Sequence, residues 1–586
     1  MQTKHHSTAA LRVLSDLQKR RVVWREILNP VLNMSELSTP SDLLRYVPTS
    51  VQDLFRNVVY WGSNDEATQR WRLRVLSIGA VAVAGAASWV YLIYPFVQHV
   101  KVWSLPQPET STWLNGDKKE LEKHVRKGDK RHYFSRLRQT VGPNCFIRLP
   151  LQFSLASLTK NPFGLLFVTS DWNVINELLR RSGSLVRNPE WVQAFDVISD
   201  SVIAIEDEQR ARLHRRILST FTTHQATNGT MKPLMDLLEV LRKELVVLND
   251  VRAVDALQLT RLTMVDLWLD LLTGRQGLHA VASSGHLALT PKRDETGVLP
   301  YSTVDAMMTT SRFHKENYEL LFLPTDSSGA ACTASHRALV RQYKSVVNAT
   351  PVILTQMLDE TNQYALLPRI LAAEDSVTRR GLMADEIRDT ASLLLLAAEN
   401  TALPIVWALY ELAKNPLLQE RIYTATRMED LTLVDSTDHL VSHLGEVLNV
   451  FLESLRFYAL PILSRSASKA IHLKSVDFSI PAGTVILVDN YSLTRDEVLW
   501  GQDANVFNPD RFVGRIWQQA PWLPFGFGTR KCLGERLAVA HAVIFLAFIV
   551  RHFALDLDVN SMPPEPMERQ FLTPDKPVML RFKPRA

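Results

Sequence analysis

Cysteine is the scarcest reactive residue in this chain, with three in 586 residues: Cys145, Cys332 and Cys532. Three thiols cannot build a disulfide framework, and their spacing matches no zinc site. A reducing compartment or a single reactive thiol is what remains. A surplus of one charge is also missing. Lys and Arg number 66 against 61 Asp and Glu, a net charge of +5, and no basic run is interleaved with aromatics, so nothing points to nucleic acid. Gly/Ser/Pro linkers are lacking too, although 586 residues would nominally allow about four domains. At 46% hydrophobic and 22% charged, the composition is globular and excludes intrinsic disorder.

Long apolar runs are rare, and one stands out. Val75 to Val97 runs 23 residues without Asp, Glu, Lys or Arg. As a helix it measures roughly 34 Å, enough for a hydrocarbon core of ~30 Å. Trp89, Tyr91, Tyr94 and Trp103 lie toward its C-terminal side, where an aromatic belt sits, and Arg70, Arg72 and Arg74 crowd the other end. The run starts too late and is too long for a signal peptide. We therefore expect an unassigned extension over 1–74, one transmembrane helix over 75–97, a hinge over 98–127 stiffened by Pro106 and Pro108, and a single catalytic domain over 128–586. Arg56, Arg70, Arg72 and Arg74 against Lys101 put the N-terminus in the cytosol; Lys118, Lys119, Lys123, Arg126 and Lys127 pull the other way.

Beyond the hinge, helical periodicity dominates, over 385–415, 438–458 and 533–553. Strand-like pieces are few and gather in 478–488, where Pro481 to Gly483 reads as a turn. No solenoid repeat, and no flavin or nicotinamide fingerprint, occurs. The expected fold is mainly α with a minor β portion.

The densest signal is PFGFGTRKCLGERLA, Pro524 to Ala538. Gly526 and Gly528 allow positive φ and let backbone lie flat against a planar ligand. Cys532 directly precedes an apolar helical run, so a helix N-terminus should favour its thiolate, and Arg530 suits a carboxylate. Phe525, Gly528, Arg530, Cys532 and Gly534 fit F-x-x-G-x-R-x-C-x-G. This loop resembles the haem-ligating loop of the cytochrome P450 superfamily. The resemblance implies that Cys532 is the proximal thiolate ligand of a haem b iron, with Phe525, Gly528, Gly534 and Arg530 shaping the cofactor site.

Further motifs stand at that family's spacing. Glu453 and Arg456 share one helical face, 76 residues before Cys532. With Arg511 of NPDRF they would form the family's buried structural triad. In LLLLAAENTALPIVWALYELAKNP, starting at Leu393, the family's distal helix implies Asn400 and Thr401 beside the dioxygen site, with Asn400 in place of the usual acid. That departure, with Pro404 and Trp407, is most similar to the sterol 7α- and 12α-hydroxylases and prostacyclin synthase. Independently of resemblance, Pro404 lacks the N–H that would bond the Asn400 carbonyl, so the helix should kink or open there. In HRRILS, Arg215 stands at the family's propionate arginine, but Ala211 replaces the usual tryptophan four residues earlier. His214 or Arg216 could compensate, and Arg465 is a further propionate candidate.

The resemblance covers about Gly128 to Ala586. It implies a membrane-anchored monooxygenase that inserts one atom of O2 into a bulky apolar substrate, a sterol, terpenoid or other secondary metabolite. Electrons would come from NADPH through a separate NADPH–cytochrome P450 reductase, and the single-pass protein would sit in the endoplasmic reticulum with its catalytic domain in the cytosol. The alternatives are a reductase-independent haem-thiolate isomerase or dehydratase, against which Thr401 argues, and a haem-binding protein without turnover.

Overall fold

The structure is a computed structural model that describes Gly85 and residues 94–585, apart from 110–116, 128, 149–163, 189–194, 249–251, 278–333, 363, 428–442, 459–461 and 569–570. The extension 1–74, the apolar run through residue 93 except Gly85, and Cys332 therefore lie outside the described residues. Helices make up most of the rest, and four short sheets complete it.

Three helices fill the main core. Glu535–His552 is apolar on all sides and buried continuously from Ala540 to Val550. A helix of that composition is stable only inside other structure. Ala384–Lys414, 31 residues long, crosses the same core; Ala402 to Ala413 are all buried. Its mean hydropathy of 1.5 over an 18-residue window would suit a bilayer, but this burial marks it as a core helix. Ala256–Thr273 packs beside it, with an N-cap from the Asp255 side chain and Gly274 closing the C-terminus at φ +74°.

The largest sheet has the spatial order Asn144–Arg148, Leu165–Thr169, Val485–Asp489, Ile462–Ala467, Leu185–Val186. Leu165–Thr169 and Val485–Asp489 pair parallel and the other neighbours antiparallel. Val485–Asp489 is buried at every position, and the strand-like stretch 478–488 does contain two strands. They are not partners, however. Phe478–Ile480 pairs with Ile471–Leu473, so the turn at Gly483, φ +80°, hands the chain from one sheet to another.

The segment read as a hinge lies against this sheet. Tyr94–Lys101 and Lys118–Lys127 are helical, Val102 is fully buried with Phe146 and Phe167, and the Phe146 N–H donates to the Pro106 carbonyl at 2.8 Å.

Candidate active site around Cys532

The cysteine loop is built by its glycines. Gly526 and Gly528 take φ of +70° and +67°, which side chains with a Cβ rarely adopt. The Cys532 N–H donates to the Phe525 carbonyl at 2.9 Å, closing the loop, and Gly534 caps the helix that begins at Glu535. The Phe525 ring packs against Trp517, with centroids 6.0 Å apart.

Cys532 keeps accessible surface, yet burial is the largest influence on its thiol. The expected thiolate preference is reversed: burial pushes the thiol above its usual range, outweighing the Gly534 N–H and the charges of Arg215 and Lys531. The helix terminus alone is too weak, because its fractional charge offsets little of the desolvation of a buried anion.

Guanidiniums gather beside the loop. Arg215, on the helix Glu208–Ser219, donates Nη2 to the Lys531 carbonyl at 2.8 Å. Arg465 leaves its strand to lie 4.8 Å over the Phe527 ring, and burial with the charge of Arg530 lowers its pKa to about 10. Arg530, expected to meet a carboxylate of the cofactor, pairs with Glu208, which also accepts from Thr529 at 2.9 Å. A fourth cation, Arg187, had no signal in the sequence because it belongs to no local pattern. Burial, then Arg530 and Arg465, push its pKa down to about 9, and its buried Nη1 meets no acceptor among the described residues.

Four guanidiniums thus share one charged neighbourhood in which Glu208 is the carboxylate that acts on them. A partly buried cation excess, with one donor that meets no acceptor among the described residues, is costly. A planar ligand carrying two carboxylates, seated on an accessible thiol, matches this donor set, so the residues present fit haem.

His214 and Arg216 do not compensate for the missing tryptophan. The fully buried His214 lies 3.2 Å from Glu386 at the start of the long helix. Arg216 clasps Asp375 with two bonds of 2.5 and 2.9 Å. Both are drawn away because each finds a carboxylate on another element. Ala211 is buried at 1% exposure.

On the long helix, Ala397, Glu399, Asn400 and Thr401 keep partial exposure just before the buried run that starts at Ala402. Thr401 Oγ1 makes only a 3.4 Å bond back to the Ala397 carbonyl. Of the expected kink or opening at Asn400–Thr401, no break occurs: the helix runs from Ala384 through Pro404 to Lys414.

Glu453, Arg456 and Arg511 come together behind the loop. Glu453 accepts from Arg456 at 2.7 and 2.8 Å and from Arg511 Nε at 3.1 Å. The spare donors are absorbed by carbonyls: Arg456 Nη1 bonds Thr494 and Ala504, and Arg511 Nη1 bonds Trp500. All three side chains are at most 3% exposed.

The comparisons agree with this geometry. The family model described as Cytochrome P450 matches residues 106–582. A putative cytochrome P450 of Caenorhabditis elegans is 31% identical over 213 residues, which is 36% of this chain and 41% of its own length. "Cytochrome P450 11B, mitochondrial" of Aquarana catesbeiana is 31% identical over 205 residues, 35% of this chain and 39% of its own length. The human "25-hydroxyvitamin D-1 alpha hydroxylase, mitochondrial" is 33% identical over 211 residues, 35% of this chain and 41% of its own length. These matches span about two fifths of each relative (39–41%). The family model itself runs from beside the largest sheet to the C-terminal strand, and on that basis the chain belongs to the cytochrome P450 family.

Proposed function

We propose that this chain is a haem-thiolate monooxygenase that inserts one atom of O2 into a bulky apolar substrate. The observation that carries it is the Cys532 thiol on a glycine-shaped loop beside a partly buried excess of guanidiniums. Cys532 would hold the iron, and Arg187, Arg215, Arg465 and Arg530 would face the propionates. Phe525, Gly528 and Gly534 would keep the loop flat against the ring. When bound, haem supplies the activation of dioxygen and the transfer of its oxygen.

The chain's own part on the other side is proton handling. Thr401 Oγ1 is held only by its long bond to Ala397, so it can turn to donate or accept a proton. The Asn400 amide cannot ionise and serves to orient a water. The substrate class is a sterol or terpenoid. Support comes from the resemblance of the AENTALP stretch to the sterol hydroxylases and from the relative named as a 25-hydroxyvitamin D hydroxylase.

Electrons would come from NADPH through a separate reductase docking near the basic helix Glu208–Ser219. The apolar run 75–97 would anchor the protein in a membrane, which we assign to the endoplasmic reticulum. Removing residues 1–93, upstream of the buried Val102, should move the protein from the membrane pellet to the supernatant. A truncated chain that still pellets would sink the anchor.

The test of the activity is Thr401→Ala. Losing general-acid assistance of about 10²–10⁴-fold should leave NADPH consumption running while peroxide replaces product. Asn400→Asp should be tolerated better. Turnover of substrate without NADPH and a reductase would overturn the reading in favour of an isomerase.

A further inference from the structure

The long helix carries a defect at a sensitive place. Pro404 has no N–H, so the Asn400 carbonyl loses its intrahelical donor one residue before Thr401. The helix nonetheless runs from Ala384 to Lys414 without a break, and contacts from outside it stand where its internal bond is missing.

Contacts to three other elements flank the defect. On its N-terminal side, Arg261 of the helix Ala256–Thr273 donates Nη2 to Glu399 Oε1 at 2.5 Å. Arg261 is 93% buried, 7% of its side chain being exposed, and its Nε finds no acceptor among the described residues. Such a cation is retained at a cost, and the Glu399 carboxylate offsets it. At the defect itself, Ser454 of the helix Gly445–Phe457, fully buried, donates Oγ to the Pro404 carbonyl at 2.5 Å. On the C-terminal side, the Trp407 Nε1–H donates to the Leu572 carbonyl at 2.6 Å, and its ring stacks on Tyr458 at 3.9 Å.

We propose that Arg261–Glu399 and Ser454 form a brace that keeps the Pro404 defect from opening, and so act as positioning residues for Asn400 and Thr401. The part concerning Thr401 rests on the monooxygenase reading; the brace itself does not. Charge-assisted hydrogen bonds such as Arg261–Glu399 are stronger than neutral ones, and buried bonds are expensive to leave unmade. One charge-assisted contact at Glu399 and one neutral contact at the Pro404 carbonyl stand on either side of the missing bond. Glu399 and Thr401, two apart, do not share a helical face, which favours holding the backbone over direct proton transfer between their side chains.

The experiment compares the full chain with Arg261→Ala, Glu399→Gln, Ser454→Ala and the conservative Ser454→Thr. Hydrogen exchange of the backbone amides over 401–406 is read first, in the resting protein. Arg261→Ala and Ser454→Ala should each speed it roughly tenfold or more, while amides of Glu535–His552 stay protected and Ser454→Thr stays near the parent. Should Arg261→Ala fail to fold, Ser454→Ala carries the same reading, because it removes one hydroxyl and no charge. Unchanged exchange over 401–406 in these variants would overturn the brace, whatever the enzyme's reaction.

The second readout is peroxide released per NADPH consumed, which should rise in step with exchange in all three disruptive variants. A rise confined to Glu399→Gln, with Ser454→Ala like the parent, would overturn positioning and make Glu399 a direct proton donor. Faster exchange with unchanged peroxide release would also overturn it, leaving a purely structural contact.

Discussion

Arg215 donates its Nη2 to the carbonyl of Lys531, the residue before Cys532, across a sequence separation of 316. One guanidinium thereby ties the helix Glu208–Ser219 to the loop that presents the thiol. Where the family's tryptophan is absent, at Ala211, this bond and the Arg530–Glu208 pair fasten the same helix to the same loop.

Cys532→Ser should abolish the red-shifted Soret band that thiolate-ligated haem shows with carbon monoxide. Cys145→Ala should keep it, because Cys145 is buried among apolar residues between the sheet and its helices and burial pushes its thiol up to about 12. A serine variant with the intact band would refute the ligand assignment.

Glu453→Ala should yield little folded protein. It strands Arg456 and Arg511 as buried cations, and breaking such a pair costs roughly 3–5 kcal/mol, a large part of a typical stability of about 5–15 kcal/mol. Glu453 also accepts from the Asn508 N–H at 2.7 Å, so the NPDRF turn loses its anchor too. Soluble yield and a thermal melt measure this; a parent-like melt would contradict it.

Arg187→Met should act in opposite directions on the two forms of the protein. Removing a partly buried cation whose Nη1 meets no acceptor among the described residues relieves repulsion from Arg530 and Arg465, so the apoprotein should melt higher. The holoprotein should lose haem faster to a haem-scavenging globin, since a propionate partner is gone. A variant that melts lower as apoprotein and retains haem like the parent would show that Arg187 has neither role.

Asp270 gives a pH dependence. Burial, then the charge of Asp266, raise its pKa to about 9, against the Gly277 N–H that lowers it. An unfolded aspartate titrates near about 3.9. Between these values the folded chain holds a proton that the unfolded chain has released, so this group's contribution is full below about 4 and is lost as pH rises toward about 9. Asp270→Asn should therefore raise the melting temperature more at pH 8 than at pH 5. An equal effect at both would show that Asp270 is ionised in the fold.

Local regularities were legible without the structure. Helical periodicity located the long helix to within a residue at each end, 384–414 against 385–415, because amphipathic spacing and the flanking signals are written in consecutive residues. The glycines of the cysteine loop announced their positive φ for the same reason. The alternating run 478–488 announced its strands but not that they belong to different sheets, since pairing partners lie elsewhere in the chain.

Charge was where local reading stopped. His214 and Arg216 looked like haem partners by adjacency to Arg215, but each was claimed by a carboxylate more than 150 residues away: Glu386 by His214, and Asp375 by Arg216, 159 residues on. Cys532 looked like a ready thiolate from its helix start, yet desolvation by the assembled core outweighs that fractional charge. Arg187 and Arg261 gave no signal at all, because a buried cation is recognised by what surrounds it. The sequence alone determined the thiol, the glycines around it, the Glu453–Arg456 spacing and the proline defect, since each is a matter of covalent chemistry or of neighbours within one turn. Only the tertiary structure decided which cations are left without a carboxylate and what holds the helix at Pro404, because long-range packing alone sets both desolvation and the choice of hydrogen-bond partner.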